Sequence, residues 1–321
     1  MSNQPALNFS TRQNKSIERS LVFESLETLK GQGLLNDVKY VGFGSVWFVD
    51  FQMAQRSLEP IQMVSIERDS DLIPRARFNR PFKNISISEG DARFVIPDLL
   101  SLDDGRCESW VVWLDYDGKL TEDELSTLLD TAQSLPPKSV LLTTFNRRRK
   151  SYWKGHDSGT VHEKLNEIFG DSLSSHVKAD EVNTLVKLTD KLADLVHQSI
   201  ATRLNDFGGH RYLPAFQLPY SDGQADMLTV GGYIAGQSEF QRAKNLLKGG
   251  SWPGSVSGAI DFDPLTAREV MELRRFLPSE DKLKSAVVKK DTGIDLSEAA
   301  LEGFREHYRR FPVYSDISAS I

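Results

Sequence analysis

A single cysteine, Cys107, stands among 321 residues. No intrachain disulfide and no cysteine-rich zinc site can form. No apolar run approaches the roughly 18–20 residues that cross a bilayer. The start of the chain, MSNQPALNFSTRQNKSIERS, lacks the apolar stretch of a secretory signal. These absences set the expectation of a cytoplasmic protein with no membrane partner. Excess positive charge is missing too, with 39 Lys and Arg against 45 Asp and Glu. That balance argues against an all-over nucleic-acid coat, although a local basic patch stays open. The sequence has no internal repeat, no low-complexity tract, no Gly-x-Ser-x-Gly elbow and no Walker loop. The histidines at 156, 162, 176, 197, 210 and 307 have no metal-ligand spacing. His156 is a general-base candidate and the others read as structural.

What remains is ordinary globular composition, 39% hydrophobic and 26% charged. Ile17, Leu21, Leu26 and Leu29 keep a helical period over 16–29, closed by Gly31 and Gly33. Short apolar strands follow at 38–42, 63–68, 85–88, 110–115 and 140–144, alternating with helices that include one over 46–58. Thr121 and Glu124 predict a capping box at the head of a further helix. Such alternation predicts an α/β fold with a mostly parallel sheet buried on both faces. Helices are expected over 160–169 and 185–204. Residues 212–220 and 227–235 flank Ser221-Asp-Gly223 and predict a closing hairpin. Gly231, Gly232 and Trp252 read as packing residues. The expected organisation is an N-terminal helical segment (1–29), a central domain (30–236) and a helical C-terminal appendage (237–321) open to a partner or a second copy. Within it, Ala300, Phe304, Tyr308 and Phe311 share one helix face.

The strand ends carry the chemistry. Gly42-Phe43-Gly44-Ser45 follows the first strand, Glu67-Arg68 ends the second, Asp91-Ala92 follows the third and Asp115 ends the fourth. Open α/β sheets bind ligands at the carboxyl ends of their strands. A glycine turn lets backbone approach the ligand, and an acid at the second strand end can hold both hydroxyls of a ribose. An acid in the Gly90-Asp91 turn can meet an adenine amino group. The set describes an adenosine-containing ligand.

This layout resembles the class I S-adenosylmethionine-dependent methyltransferases over about residues 30–236, and a group of bacterial O-methyltransferase-like proteins in particular. The carriers are Tyr-Val-Gly-Phe-Gly-Ser (40–45), Ser-Ile-Glu67, Glu-Gly-Asp91-Ala and Leu-Asp115-Tyr-Asp117-Gly. The resemblance implies a Rossmann-like sheet ending in an antiparallel hairpin. It also implies S-adenosylmethionine as cofactor, held by Gly42, Phe43, Gly44, Ser45, Glu67, Arg68, Asp91, Ala92 and Asp115. The family carries an acid two residues before the first glycine, where this chain has Tyr40. Asp115 or a backbone carbonyl would then meet the methionine amino group.

For the acceptor, the loop after the fourth strand lacks the prolines of amino-methylating DNA enzymes, and Cys107 precedes the strand that a carbon-methylating nucleophile would follow. Oxygen is the expected target, on a small molecule, a nucleotide or a nucleic acid. Asp115 and Asp117 are the catalytic candidates. Their proximity could raise one pKa and make a general base. A divalent metal held through oxygen is the alternative, with Asn146 echoing a ligand position of the metal-dependent catechol-type enzymes. A third reading has the two aspartates merely capping the following helix or holding the loop. Asn146-Arg147-Arg148-Arg149 after the fifth strand, and Arg12, Lys15 and Arg19 at i, i+3 and i+7, are candidate substrate-binding cations for a phosphate-bearing acceptor. Two competing readings keep the fold and change the role: a nucleotide- or nucleic-acid-binding regulator that no longer methylates, and an aminopropyl transferase.

Overall fold

The computed structural model describes residues 12–152, 159–170, 177–178, 181–207, 209–223 and 225–312. Its centre is one seven-stranded sheet in the order β3-β2-β1-β4-β5-β7-β6. The strands are β1 (Val38–Gly42), β2 (Gln62–Glu67), β3 (Ile85–Glu89), β4 (Ser109–Lys119), β5 (Ser139–Asn146), β6 (Arg211–Asp222) and β7 (Ala225–Ala235). The first five run parallel, and β7 pairs antiparallel with both β5 and β6. The expected mixed sheet with its terminal hairpin is thus present. Gly231 and Gly232 serve packing, because a Cβ at either would fall within 2.3 Å of a carbonyl on the neighbouring strand.

Helices cover both faces. On one side lie α1 (Gln13–Gly31), α2 (Val49–Ser57), α3 (Ile73–Asn79) and the C-terminal α9 (Phe240–Leu247), α10 (Ala267–Arg274), α11 (Ser285–Thr292) and α12 (Glu298–His307). On the other lie α4 (Ala92–Ser101), α5 (Glu122–Ser134), α7 (Gly159–Phe169) and α8 (Leu185–Phe207), with the short α6 (Arg149–Tyr152) after β5. Side chains alternate along a strand. Val111 and Trp113 of β4 therefore enter the first core, while Trp110, Val112 and Leu114 enter the second. That double burial is why β4 reads as a continuous apolar run.

Several boundaries differ from the sequence expectation, α1 (Gln13–Gly31) among them. α2 starts at Val49 rather than Val46, because Ser45 and Phe48 take left-handed backbone, φ 48° and 51°. β4 does not stop at Asp115 but runs to Lys119 through an irregular pairing with β5. α8 extends to Phe207. The capping box is present: Thr121 Oγ1 accepts the Glu124 N–H at 3.3 Å, and the Glu124 carboxylate accepts the Thr121 N–H at 2.9 Å.

The segment after 236 packs into the same core as α1. Val270, Leu273, Val288, Leu301, Phe304 and Phe311 share one buried cluster with Ile17, Leu21, Leu29 and the sheet. Phe304 and Phe311 of the predicted apolar face are core residues, whereas Ala300 and Tyr308 are half-buried. Polar clamps reinforce the join. The Gln13 side chain bonds both the N–H and the C=O of Leu265, and Asn14 does the same for Phe262.

Candidate functional site

The register of the parallel strands sets the site. Gly42 pairs with Ser65 on one side and Trp113 on the other, so Glu67 and Asp115 lie two residues further along β2 and β4. Glu89 pairs with Glu67, and Asp91 lies just beyond it. Gly44 is where backbone must pass closest to its neighbours. Its N–H bonds Ser65 Oγ at 3.1 Å, and a Cβ there would lie 2.5 Å from that oxygen and 2.9 Å from the Phe48 ring.

A cleft of about 340 Å³ opens above Gly44, within the usual span of ligand sites. Phe43, Gly44, Ser45, Asp115 and Asp117 line it, joined by Arg12, Lys15 and Arg19 from α1. Trp47, Asp50, Tyr220 and Met227 complete the wall in the main. The sequence reading missed these four. Asp50 carried a signal, being an acid at the start of a helix that follows a glycine turn. Tyr220 and Met227 come from the hairpin, whose approach to the first helix no local pattern announces.

Two ion pairs form the inner wall. Lys15 Nζ lies 2.8 Å from both oxygens of Asp115, between the rings of Trp113 and Tyr220 at 5.5 and 5.2 Å. Arg19 Nε lies 2.5 Å from Asp50 Oδ1. Burial works against both cations, but the facing carboxylates outweigh it and hold them protonated beyond their ordinary values. Behind Lys15 sits Glu18, fully buried. Burial pushes its carboxyl up to about 7 against the pull of Lys15. Asp117 stands at the mouth. The protein packed around it, and then the Asp115 charge, raise its carboxyl above the ordinary range.

The other sequence candidates fall elsewhere. Gly42 lies beneath the turn, where a Cβ would come 3.2 Å from the Trp113 carbonyl. Glu67, with Arg68 after it, and Asp91, with Ala92 after it, stand at neighbouring strand ends outside the cleft lining. Glu67 accepts the Asp69 N–H at 2.9 Å, and Asp91 caps α4 by accepting the Arg93 N–H at 3.0 Å. Among the described residues of the basic run after β5, none lines the cleft. Arg147 is 3% exposed and bonds the Met227 carbonyl at 3.0 Å and Thr189 Oγ1 at 2.9 Å, tying β7 to α8. Arg148 lies 3.8 Å from Asp226, and the Asn146 side chain accepts the Arg148 N–H. Arg149 opens α6, outside the cleft lining. The run's single sign of charge hides the reason: the hairpin opposite supplies Asp226 and the Met227 carbonyl. Lys15 and Arg19 are likewise paired inward rather than presented as a surface stripe. Asp115 and Asp117 do not cap α5, since Thr121 does that itself. His156, with Trp153 and Lys154, lies outside the described residues.

A divalent metal does not fit the donors present. Lys15 engages both Asp115 oxygens, and among the described residues no three His, Cys, Asp or Glu side chains gather as a metal site requires. No described helix is long and apolar enough to cross a membrane.

The chain matches the family described as "Putative O-methyltransferase" over residues 7–319. Among solved structures it is similar to Trm1 from Pyrococcus horikoshii in complex with S-adenosyl-L-methionine, at 11% identity over 76% of this chain and 60% of that one, TM-score 0.48. It is also similar to cofactor-bound Rv0187 from MTB, at 12% identity over 73% and 85%, TM-score 0.41. A fibrillarin/Nop5p complex is similar at 11% identity over 68% and 82%, TM-score 0.37. A comparison with curated proteins finds no match.

Proposed function

The chain belongs to this O-methyltransferase family and is an S-adenosylmethionine-dependent methyltransferase; from that premise we propose that the cleft above Gly44 holds the methionine end of the cofactor and presents a small hydroxyl-bearing acceptor to Asp117. The observation that carries this reading is the gathering of Gly44, Lys15, Arg19, Asp50, Asp115 and Asp117 around one cleft. The residues suit the cofactor on two counts. The turn at Gly44 excludes even a methyl side chain, so bare backbone faces the cleft. The inner wall alternates cation and carboxylate, which complements an α-amino acid zwitterion. Tyr40, at the position of the family's acid, is buried against Phe51 with ring centroids 5.1 Å apart. Asp50 and Asp115 are the carboxylates within reach for the amino group, and Arg12 and Arg19 the cations for the carboxylate.

Bound S-adenosylmethionine supplies an activated methyl on a sulfonium, so the chemistry asks chiefly for alignment. Lys15 clamps Asp115 through both carboxylate oxygens and fixes it as an orienting group. Asp117 accepts the acceptor's hydroxyl proton at its carboxylate oxygen, and its raised carboxyl makes it a stronger base than an ordinary aspartate. Trp47, Phe43 and Tyr220 narrow the cleft and limit water. Glu67, at the end of β2, would hold the ribose hydroxyls, and Asp91 would meet the adenine side. A small acceptor is favoured because Arg147 and Arg148 are turned to protein groups rather than to a phosphate backbone.

Calorimetry with S-adenosylmethionine and S-adenosylhomocysteine tests the cofactor site, and saturable binding of both is the expected result. Glu67→Ala should weaken binding by roughly 1–3 kcal/mol through lost hydrogen bonds. Absence of binding to the intact protein overturns the reading, and unchanged affinity in Glu67→Ala removes that residue from it. Incubation with methyl-labelled cofactor and fractionated metabolites then tests the acceptor class: label in RNA or DNA instead would refute the small-molecule assignment.

A further inference from the structure

The charges that line the cleft cancel. Arg12, Lys15 and Arg19 stand against Asp50, Asp115 and Asp117. Glu18 breaks the balance from behind. It is 0% exposed, and its Oε2 lies 4.0 Å from Lys15 Nζ with no hydrogen-bond partner of its own. Its Oε1 accepts from Thr229 Oγ1 at 2.6 Å. Thr229 stands 2.8 Å from Thr144, which accepts the Trp113 indole N–H at 2.9 Å. With the Thr229 proton committed to Glu18, donation runs one way, from Trp113 through Thr144 and Thr229 to the carboxylate. This line of donors ends on a charge that the cleft-lining pairs do not neutralise.

We propose that Glu18 is a charge-selectivity residue of the cofactor cleft: its ionised carboxylate, buried behind Lys15, makes the cleft prefer a sulfonium ligand over the neutral thioether that remains after methyl transfer. The proposal rests on the reading of this cleft as the S-adenosylmethionine site. The two ligands share the adenosine and the amino-acid end and differ by one methyl and one positive charge on sulfur. A lining of zero net charge gives no long-range preference between them, whereas an uncompensated buried carboxylate does, because charge acts far through a poorly polarisable interior.

The groups facing Glu18 decide when that charge is present. Lys15 and Arg19 on its own helix and the Thr229 hydroxyl on β7 favour the ionised form, while burial and Asp115 on β4 oppose it. Tyr40 on β1 and Tyr220 on β6 stay neutral, since burial pushes both phenols up. Lys15 and Arg19 stay cationic. With its carboxyl near 7, Glu18 gains its charge on passing from mildly acid to mildly alkaline solution. The preference for the sulfonium should follow.

The test is calorimetry on the full chain with S-adenosylmethionine and S-adenosylhomocysteine at pH 6, 7 and 8. In the parent protein the ratio of the two dissociation constants should shift toward the sulfonium by roughly fivefold between pH 6 and 8, the scale of one added charge in a medium of intermediate polarisability. Glu18→Gln keeps the shape and should abolish the pH dependence of that ratio. Thr229→Val removes a hydroxyl that stabilises the carboxylate, so the rise should move to higher pH. A ratio independent of pH in the parent, or the same rise in Glu18→Gln, overturns the proposal. Should Glu18→Gln fail to fold by circular dichroism, Thr229→Val decides, and an unshifted rise refutes the assignment. If the parent binds neither ligand, the cofactor reading itself falls and takes this proposal with it.

Discussion

A lysine amine enclosed by Trp113 and Tyr220 would shed its proton were Asp115 not against it; the pair exists because each charge makes the other tolerable. Lys15→Met removes the partner and leaves Asp115 and Glu18 buried beside each other without a cation between them. The expected cost is about 3–5 kcal/mol in urea unfolding at pH 8. Losing Lys15 removes the charge that pulls the Glu18 carboxyl down, and a carboxyl raised in the folded state loses stability as pH climbs through that range. The penalty should therefore be smaller at pH 5, where Glu18 can hold its proton, and an equal penalty at both values would contradict the pairing. Glu18 alone already acts this way in the parent. Raised from 4.5 to about 7, it stabilises the protonated fold below the lower value and withdraws about 3 kcal/mol as pH rises to the upper one. Glu18→Gln should be more stabilising, relative to the parent, at pH 8 than at pH 5. The spacing of Arg12, Lys15 and Arg19 placed all three at the cleft, so their location was legible. Their pairing was not, because Asp115 and Asp50 come from other elements and charge alone does not say whether a helix face is wet or buried.

At the scale of elements, periodicity located every strand, since a strand buried on both faces leaves an unbroken apolar run and each glycine or acidic end interrupts it. Boundaries failed where backbone strain intervened. Nothing in Ser45-Val-Trp-Phe48 announces two left-handed residues, and these delay α2 until Val49. The delay brings Trp47 and Asp50 to the cleft, which explains why both escaped the sequence reading. Glu67 and Asp91 were legible as strand-end acids because position along a strand is a one-dimensional property. Gly44→Ala tests the turn. The added methyl meets Ser65 Oγ and the Phe48 ring, neither of which can yield easily, since Ser65 is 1% and Phe48 0% exposed. The expected loss is about 1–3 kcal/mol of stability, with weaker S-adenosylhomocysteine binding. Adding Ser65→Ala removes the nearer obstacle and should restore part of both; no restoration would mean that the contact is not what makes Gly44 necessary.

At the scale of the whole molecule, residues beyond the boundary near 237 share one buried cluster with α1 and the sheet. α1 carries Arg12 at its entry and Lys15, Glu18 and Arg19 along its length, packs against β6 and α2, and shares one buried cluster with residues beyond that boundary. Gln13 and Asn14 fasten its first turn to Leu265 and Phe262, and Glu24 pairs with Arg310 at 2.8 Å. Side chains that touch the cleft and helices far from it are therefore joined through α1. Cutting the chain after Gly236 would remove Val270, Leu273, Leu301, Phe304 and Phe311 from the cluster that holds Ile17, Leu21 and Leu29, and burial of each such side chain is worth roughly 1.5–3 kcal/mol. The truncated protein should aggregate or, if soluble, bind no S-adenosylhomocysteine, even though every strand of the sheet remains. The intact chain should unfold in one calorimetric transition, and ligand should raise the whole of it, since binding to the native state alone stabilises everything that unfolds with it. Two separable transitions, with only the earlier or the later one moved by ligand, would show that the C-terminal helices are an independent unit and that α1 holds its charges without them.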